Sequence, residues 1–294
     1  MSATPLASRI VPVLTIVAII VALWYAGAVW MNAPFQRDLD RRANVSSTTS
    51  EFIAKTLSQP KPVVPAPHQV AANVFENTFL RKVTSNRSLV YHAWVTLSST
   101  LAGFTFGTLF GILIAVGIVH VKALDRSLMP WIIASQTVPI LAIAPMVVVV
   151  LAAVNVTGLI PKALISTYLS FFPVAVGMVK GLRSPDPIQL DLMRTYSASP
   201  WQTLWKLRVP ASMPFLFTSM KVAVAASLVG AIVAELPTGA AAGIGSKLLA
   251  GSYYSQTIDM WAALIAGSVL AAALVTIVGI GARIVDRRMG VRPA

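Results

Sequence analysis

Residues 91–119 read YHAWVTLSSTLAGFTFGTLFGILIAVGIV and contain no Asp, Glu, Lys or Arg. A helix crosses the hydrocarbon core of a bilayer with about 20 mostly apolar residues, so this run is long enough to span on its own. The same test applied outward gives five more spans, at residues 10–30, 128–154, 159–179, 215–234 and 260–284. Composition agrees with these local readings. Of the 294 residues 56% are hydrophobic and 11% charged, with a mean hydropathy of +0.75, whereas soluble domains carry about 25% charged residues. Too few charges remain to cover a soluble surface, which excludes a soluble enzyme, a secreted disulfide scaffold and a disordered chain. The absence of cysteine removes disulfides and thiolate chemistry. The fold class is an all-α membrane protein with about six transmembrane helices.

Basic residues orient the spans. Arg9, Lys122, Arg126, Lys180, Arg183, Arg194, Lys206, Arg208, Arg283, Arg287, Arg288 and Arg292 fall on one side of this topology, against Lys162 and Lys247 in short loops on the other. Positive residues favour the cytoplasm, so both termini are expected inside. Residues 31–90 then lie outside despite their own Arg and Lys, because so long a segment translocates largely regardless of charge. The formal charge of +13 therefore reports orientation and anionic lipid, not a nucleic-acid partner. Ala26-Gly27-Ala28 has the small-x-small form of a signal-peptide end, but the apolar run continues through Trp30, and an uncleaved anchor over residues 1–31 is expected. Beyond it, Pro60, Pro62, Pro65 and Pro67 forbid helix and favour extended chain. Residues 32–87 read as a mostly irregular outer spacer with a short helix at 68–82. Residues 88–290 read as a five-helix core whose polar loop 184–213 faces the cytoplasm.

Few residues suit catalysis. His68, His92 and His120 share no metal-ligand spacing, and no G-x-x-x-x-G-K-[ST] loop occurs, so no catalytic or metal-binding residue is expected. Gly103, Gly107 and Gly111 line one helical face, as do Ala263, Gly267 and Ala271; both sets read as seams for close helix packing. Pro130, Pro139, Pro145, Pro161 and Pro173 kink the spans, and the carbonyls they free need neighbours or a watery cavity. Glu235 closes the fifth span and is followed by Pro237, Gly239, Gly243 and Gly245. A carboxylate there must face water, the interior or a partner charge, and a rise of about 1.5 Å per residue puts it near the outer membrane face. Gln136, Pro139, Pro145, Asn155, Tyr168, Glu235, Gly243 and Gly245 are the candidates for a translocation path and its gate.

Residues 184–213 are too polar to span and too long for a simple turn. Residues 187–196 form one helix candidate. Ser199-Pro200-Trp201-Gln202 is a capping box, with Ser199 at N-cap, Pro200 at N1 and Gln202 at N3. It opens a second short helix to Leu207, which Pro210 and Pro214 are expected to end before the membrane resumes. This helix either lies at headgroup level on Trp201 and Trp205 or presents a docking element to a cytoplasmic partner.

At these residues the sequence resembles the integral-membrane permeases of bacterial binding-protein-dependent ABC importers, whose loop carries E-A-A, three residues, G, nine residues, I-x-L-P. Asp191-Leu192-Met193 occupies the E-A-A place, Ser197 that of Gly, and Leu207-Arg208-Val209-Pro210 that of I-x-L-P. Both spacings are kept, with Asp for Glu, Leu-Met for Ala-Ala and Ser for Gly. Val138-Pro139-Ile140, Ala142-Ile143-Ala144-Pro145, Ala234-Glu235 and Gly243-Ile244-Gly245 resemble signatures of the nitrate/sulfonate/taurine-type branch, and the likeness covers residues 88–290.

The resemblance implies a MetI-like permease fold in the bacterial cytoplasmic (inner) membrane. It implies a second permease chain, identical or a close paralogue, two cytoplasmic ABC ATPases that each receive a coupling helix, and a periplasmic substrate-binding protein. Asp191, Ser197, Ser199, Trp201, Leu204, Leu207, Arg208 and Pro210 would form the ATPase-coupling loop. The chain itself would be no enzyme and hold no cofactor, ATP and Mg belonging to the ATPase. The implied cargo is a small organic solute, either a sulfonate-like anion or an N-heterocycle such as a pyrimidine or thiamine precursor. Spans read as free of Arg and Lys tilt that choice toward the heterocycle. A secondary transporter of a small solute is the alternative, and it calls for intramembrane ionisable groups or inverted repeats.

Overall fold

The computed structural model describes residues 6–237 and 242–289, with side chains from Ile10 onward; Gly239 and Arg292 lie outside the described residues. The helices follow in the order α1 (Leu6–Arg42), α2 (Thr49–Leu57), α3 (Pro67–Phe75), α4 (Leu89–His120), α5 (Lys122–Ser135), α6 (Ile140–Ala153), α7 (Leu159–Leu182), α8 (Pro187–Thr195), α9 (Pro200–Thr203), α10 (Val209–Glu235), α11 (Ile244–Tyr253) and α12 (Thr257–Arg288). Single wide turns of π type occupy Glu76–Leu80 and Leu204–Arg208. Five stretches are long and apolar enough to cross a membrane: Ile10–Arg42, Leu89–His120, Leu159–Leu182, Pro200–Glu235 and Thr257–Arg288. The pair α5 and α6, bent by 97°, makes a sixth.

Three boundaries differ from the sequence reading. The first helix does not stop at Trp30, because Asn32, Ala33 and Gln36 are buried on its next turns and carry it to Arg42. The span expected at 128–154 is two helices. Pro139 stands at the N-cap of α6, and a proline pushes the residue before it out of helical geometry, so the chain breaks between Gln136 and Pro139. Third, Pro210 and Pro214 do not end the loop helix. In the wide turn Leu204–Arg208 the Val209 N–H reaches back to the Leu204 carbonyl. That widening makes room for the Pro210 ring, and the chain stays helical from Pro200 to Glu235.

Two compact units form, one from residues 1–90 and 247–266, the other from 91–246 and 267–294. In the second, α7 is the central helix, with half of its residues buried. Gly103, Gly107 and Gly111 of α4 lie against it so closely that a Cβ at any of them would collide with Ser166, Ser170 or the Phe171 carbonyl. Lipid tails are as apolar as the side chains, so close backbone approach and interhelical hydrogen bonds hold such helices together. Ser170 Oγ accordingly donates to the Gly103 carbonyl at 3.1 Å. A second seam, formed by Gly177 and Gly181 against Ser219 and Ser212 of α10, closes the other side of α7. The seam expected at Gly267 is looser, since a Cβ there would stand 3.6 Å from Ile244, an ordinary contact.

The first unit replaces the expected irregular spacer with an ordered one. Asn32 of α1 accepts from the Val63 and Val64 N–H groups at 2.7 and 3.1 Å and donates to the Val64 carbonyl at 2.8 Å. One amide thus satisfies three backbone groups of a Pro-rich strand that cannot pair with itself. Trp24 Nε1 donates to the Pro65 carbonyl at 3.0 Å, and its ring lies 4.9 Å from that of Trp261. Gln59 donates to Gln36 Oε1 at 3.0 Å, and Asn73 to Asp259 at 3.0 Å. The helix expected at 68–82 is α3 followed by the wide turn to Leu80, and α2 has no counterpart in the sequence reading.

Candidate functional site

Glu235 ends α10 with its side chain wholly buried. Thr96 of α4 donates to both carboxylate oxygens, at 3.0 and 2.9 Å, and the Gly245 N–H donates to Oε2 at 3.0 Å. Lys162 Nζ stands 3.4 Å from Oε1 and donates to the Ala242 carbonyl at 2.9 Å. The strand of chain entering α11 is fixed to the same node: the Ile244 N–H donates to Thr96 Oγ1 at 2.9 Å and the Gly243 N–H to His92 Nδ1 at 2.9 Å. Gly243 has φ +136°, and a Cβ there would fall on the Glu235 carboxyl. Glycine is required at that point both by the backbone angle and by the carboxylate.

Of the environments open to Glu235 the structure shows the interior and a partner charge. One expectation is corrected: Lys162 is not a loop residue but stands in the first turn of α7, almost completely buried. An unpaired charge there would be costly, whereas opposite charges with further hydrogen bonds sustain one another. Glu235, Gly243 and Gly245 are brought together as the sequence suggested; Lys162, Thr96 and His92 were missed. Only the isolated Lys after Pro161, within an otherwise apolar run, signalled any of them. Beside the node a cleft of about 600 Å³ opens, lined by Tyr91, Ser98, Val148, Thr157, Lys162 and Pro237 among others.

A second group gathers at the break between α5 and α6. The Tyr168 hydroxyl of α7 donates to the Ser135 carbonyl at 2.6 Å, satisfying one of the carbonyls that the end of α5 leaves open. Gln136 caps that end and Pro139 opens α6. Pro145 is exposed within α6, while Asn155 adopts φ +60° at the turn toward α7, an angle that Asn tolerates. Among the described residues, no hydrogen bond joins Pro145 or Asn155 to Glu235 or Tyr168. The reading of the spans as free of Arg and Lys also fails: besides Lys162, Lys221 lies in the middle of α10 and is exposed.

The polar loop is held by its own caps and one buried anchor. The N–H of Asp186 donates to Gln189 Oε1 at 3.2 Å and starts α8; Asp191 pairs with Arg194 at 2.9 Å, both exposed. Ser197, at the place of the family's glycine, has φ +48°, the left-handed region that favours Gly. Ser199 Oγ accepts from the Gln202 N–H at 3.2 Å while Gln202 Oε1 accepts from the Ser199 N–H at 2.9 Å, so the predicted capping box is present. Trp201 and Trp205 are 65% and 54% exposed and meet edge to face at 5.6 Å. Leu204 points the opposite way, 2% exposed, into a core with Ile118, Met178, Leu182 and Leu216. It is thus an anchor of the loop, not part of its free surface. Arg208 Nη1 donates to the Leu182 carbonyl at 3.0 Å, capping α7. Leu207 is half-buried, and Pro210 sits exposed in the first turn of α10.

Among the described residues no three His, Cys, Asp or Glu side chains stand together as a metal site. His68 faces the Tyr25 hydroxyl at 3.2 Å, and His120 contacts the Val116 carbonyl at 2.8 Å.

Comparison with known proteins fits this arrangement. The chain is 30% identical over 215 residues to a probable ABC transporter permease protein of Haemophilus influenzae, covering 73% of this chain and 82% of that one. It is 29% identical over 196 residues to the formylaminopyrimidine transport permease protein ThiX of Halalkalibacterium halodurans, covering 66% and 73%. An inward-facing structure of the MetNI methionine ABC transporter superposes with a TM-score of 0.59 at 17% identity, over 67% of this chain and 95% of that one. Five or six apolar spans make this a multi-pass protein of the cytoplasmic membrane. Residues 107–291 match the family of binding-protein-dependent transport system inner membrane components, and the chain belongs to that family.

Proposed function

We propose that the chain is a transmembrane permease subunit of an ATP-driven importer, moving a small organic solute that a periplasmic binding protein delivers. Two cytoplasmic ABC ATPases, which carry the ATP and Mg, each engage one coupling helix, and a second permease chain completes the pathway. The observation that carries this reading is the capped helix from Ser199, with Trp201 and Trp205 on its outer face and Leu204 and Arg208 fixing its inner face. A short helix with a buried anchor moves as one body with what it is anchored to. Here that is α7, through the Leu182 carbonyl, and α10, which continues from the same helix without interruption.

Both helices end at the opposite side of the unit in the Lys162–Glu235 pair. Closure of the ATPases on the coupling helix would thus displace α7 and α10 at one end and shift the ion pair and the cleft beside it at the other. Tightly packed helices move between discrete arrangements instead of deforming continuously, which suits alternation between inward- and outward-facing states. Trp201→Ala tests this, because Trp201 is largely exposed and its ring meets that of Trp205 in the adjoining turn of the same continuous helix. The expected result is a membrane-inserted, assembled transporter whose ATP hydrolysis no longer drives uptake. Uptake that persists after ATP depletion but collapses with the proton gradient would overturn the proposal in favour of a secondary transporter.

A further inference from the structure

Lys221 stands on the face of α10 turned away from α7. The buried face carries Leu216, Ser219, Ala223, Ser227 and Ala231, whereas Thr218, Lys221, Val222 and Val229 are exposed. At about 1.5 Å per residue, Lys221 lies about 18 Å from Val209 and about 21 Å from Glu235 along the helix. The hydrocarbon core is about 30 Å thick, so this ammonium is near the middle of the bilayer. A lysine stem of about 6 Å does not carry its charge from there to either headgroup layer.

The stem runs beside α12: a Cβ at Gly279 would stand 3.5 Å from Lys221 Cε and 3.9 Å from Nζ. Among the described residues, the ammonium makes no ion pair and no hydrogen bond. Ten acids are present in the whole sequence. Within the transmembrane helices around this element, Glu235 already serves Lys162, Thr96 and Gly245, and Asp286, whose Oδ1 is buried without a partner among the described residues, stands at the far end of α12, about 10 Å along that helix from Gly279 and out of reach of an ion pair. A second copy of the same chain would bring the same two carboxylates, Glu235 already committed and Asp286 in the last turns of α12, away from mid-span. A charge at mid-membrane is retained where it faces a watery cavity or a counter-charge, and here neither lipid nor the chain supplies the counter-charge.

We propose that Lys221 is an anion-binding residue of the translocation pathway, and that the solute carried past it bears a negatively charged group of the sulfonate, carboxylate or phosphate type. The inference rests on the permease reading above and narrows its cargo to the anionic class. An ammonium in a low-dielectric passage attracts an anion more strongly than it does in water, yet a lone cation holds it weakly enough for release.

The test uses the assembled transporter, with its co-purified ATPase, in lipid nanodiscs. The Lys221 amine is acylated with a water-soluble sulfonated succinimidyl ester, and the modified peptide is quantified by mass spectrometry. Ethanesulfonate is added as the probe anion, ethyl methyl sulfone as its uncharged counterpart, and sodium chloride holds the ionic strength. We expect Lys221 to be labelled, and ethanesulfonate at about 0.1 M to slow labelling at least about threefold more than chloride or the sulfone does. Labelling only by a lipid-soluble ester would place Lys221 against lipid and overturn the proposal. No labelling by either reagent would place it under a second chain and overturn the proposal equally. Equal effects of sulfonate and sulfone would remove the anion preference. ATP hydrolysis in the same sample reports separately on the permease reading: if Lys221 fails these tests while ATPase remains bound and active, only the anion site falls.

Discussion

Replacing Glu235 by Ala probes the point where α4, α7 and α10 are tied together. The carboxylate accepts from Thr96, from the Gly245 N–H and from Lys162. Its removal leaves Lys162 buried with the Ala242 carbonyl alone and strands the Gly245 N–H. Breaking a buried pair by deleting one partner costs about 3–5 kcal/mol, and an orphaned buried donor adds about 1–3 kcal/mol. Domains of this size lose roughly 2–4 °C in Tm per kcal/mol, so the ion pair by itself corresponds to a drop of roughly 6–20 °C. Thermal unfolding of the purified permease, followed through its tryptophans, measures this. Glu235→Gln retains acceptors for Thr96 and Gly245 and should fall less. Lys162→Met combined with Glu235→Gln removes both charges, and it should melt above Glu235→Ala because a neutral, packed replacement for a buried pair is nearly without cost. A shift under about 2 °C for Glu235→Ala, or shifts of Glu235→Gln and Lys162→Met that add simply in their double variant, would refute the coupling of the two charges.

Two further outcomes follow from local geometry. Ser197 holds φ +48° at the end of α8. A side chain there costs about 1–2 kcal/mol, partly offset by the entropy that glycine loses on ordering, so Ser197→Gly should stabilise the turn by about 0.5–1 kcal/mol. Slower hydrogen exchange at the amides next to Ser199, chiefly Ala198, whose N–H donates to the Met193 carbonyl at 2.9 Å, checks it; faster exchange would contradict it. At the start of α2, the Thr48 N–H donates to Glu51 Oε2 at 2.9 Å and holds that carboxyl below its ordinary value, with the Thr48 hydroxyl and Lys55 adding to the effect. A carboxyl depressed by folding stabilises above the ordinary value of about 4.3 and loses that contribution as pH falls through the lower, folded value. The first turn of α2 should therefore fray in acid, and Glu51→Gln should remove most of that pH dependence; an unchanged exchange profile in the variant would rule the carboxylate out.

The fold class was legible because uncharged runs of span length leave no alternative in water, and the capping box at Ser199 and Gln202 is a purely local pattern. What the sequence hid is mostly non-local. Lys162 and Glu235 are distant in the chain, and their pairing depends on α7 and α10 being packed through Gly177 and Gly181, whose contacts no spacing rule names. The break at Pro139 was visible as a proline but not as a 97° bend, since a kinked span and a broken one share the same composition. Polar neighbours point Leu204 to the loop surface, yet the wide turn that begins at this residue sets its actual direction, away from Trp201 and Trp205 and into the core. Lys221 needed no structure to be noticed. Averaging charge over helix ends conceals a single lysine in mid-span, and its depth and missing counter-charge give it meaning.

Whether the helix beginning at Ser199 delivers the ATPase's motion to the membrane helices is tested most directly by a photo-crosslinking amino acid at position 201. It replaces the exposed Trp201 in the full transporter in native membranes. A coupling helix predicts a crosslink to a nucleotide-binding ATPase subunit whose yield changes when ATP is bound. Crosslinks to lipid alone, from a transporter that still hydrolyses ATP and imports, would contradict it and return the tryptophans to the headgroup layer.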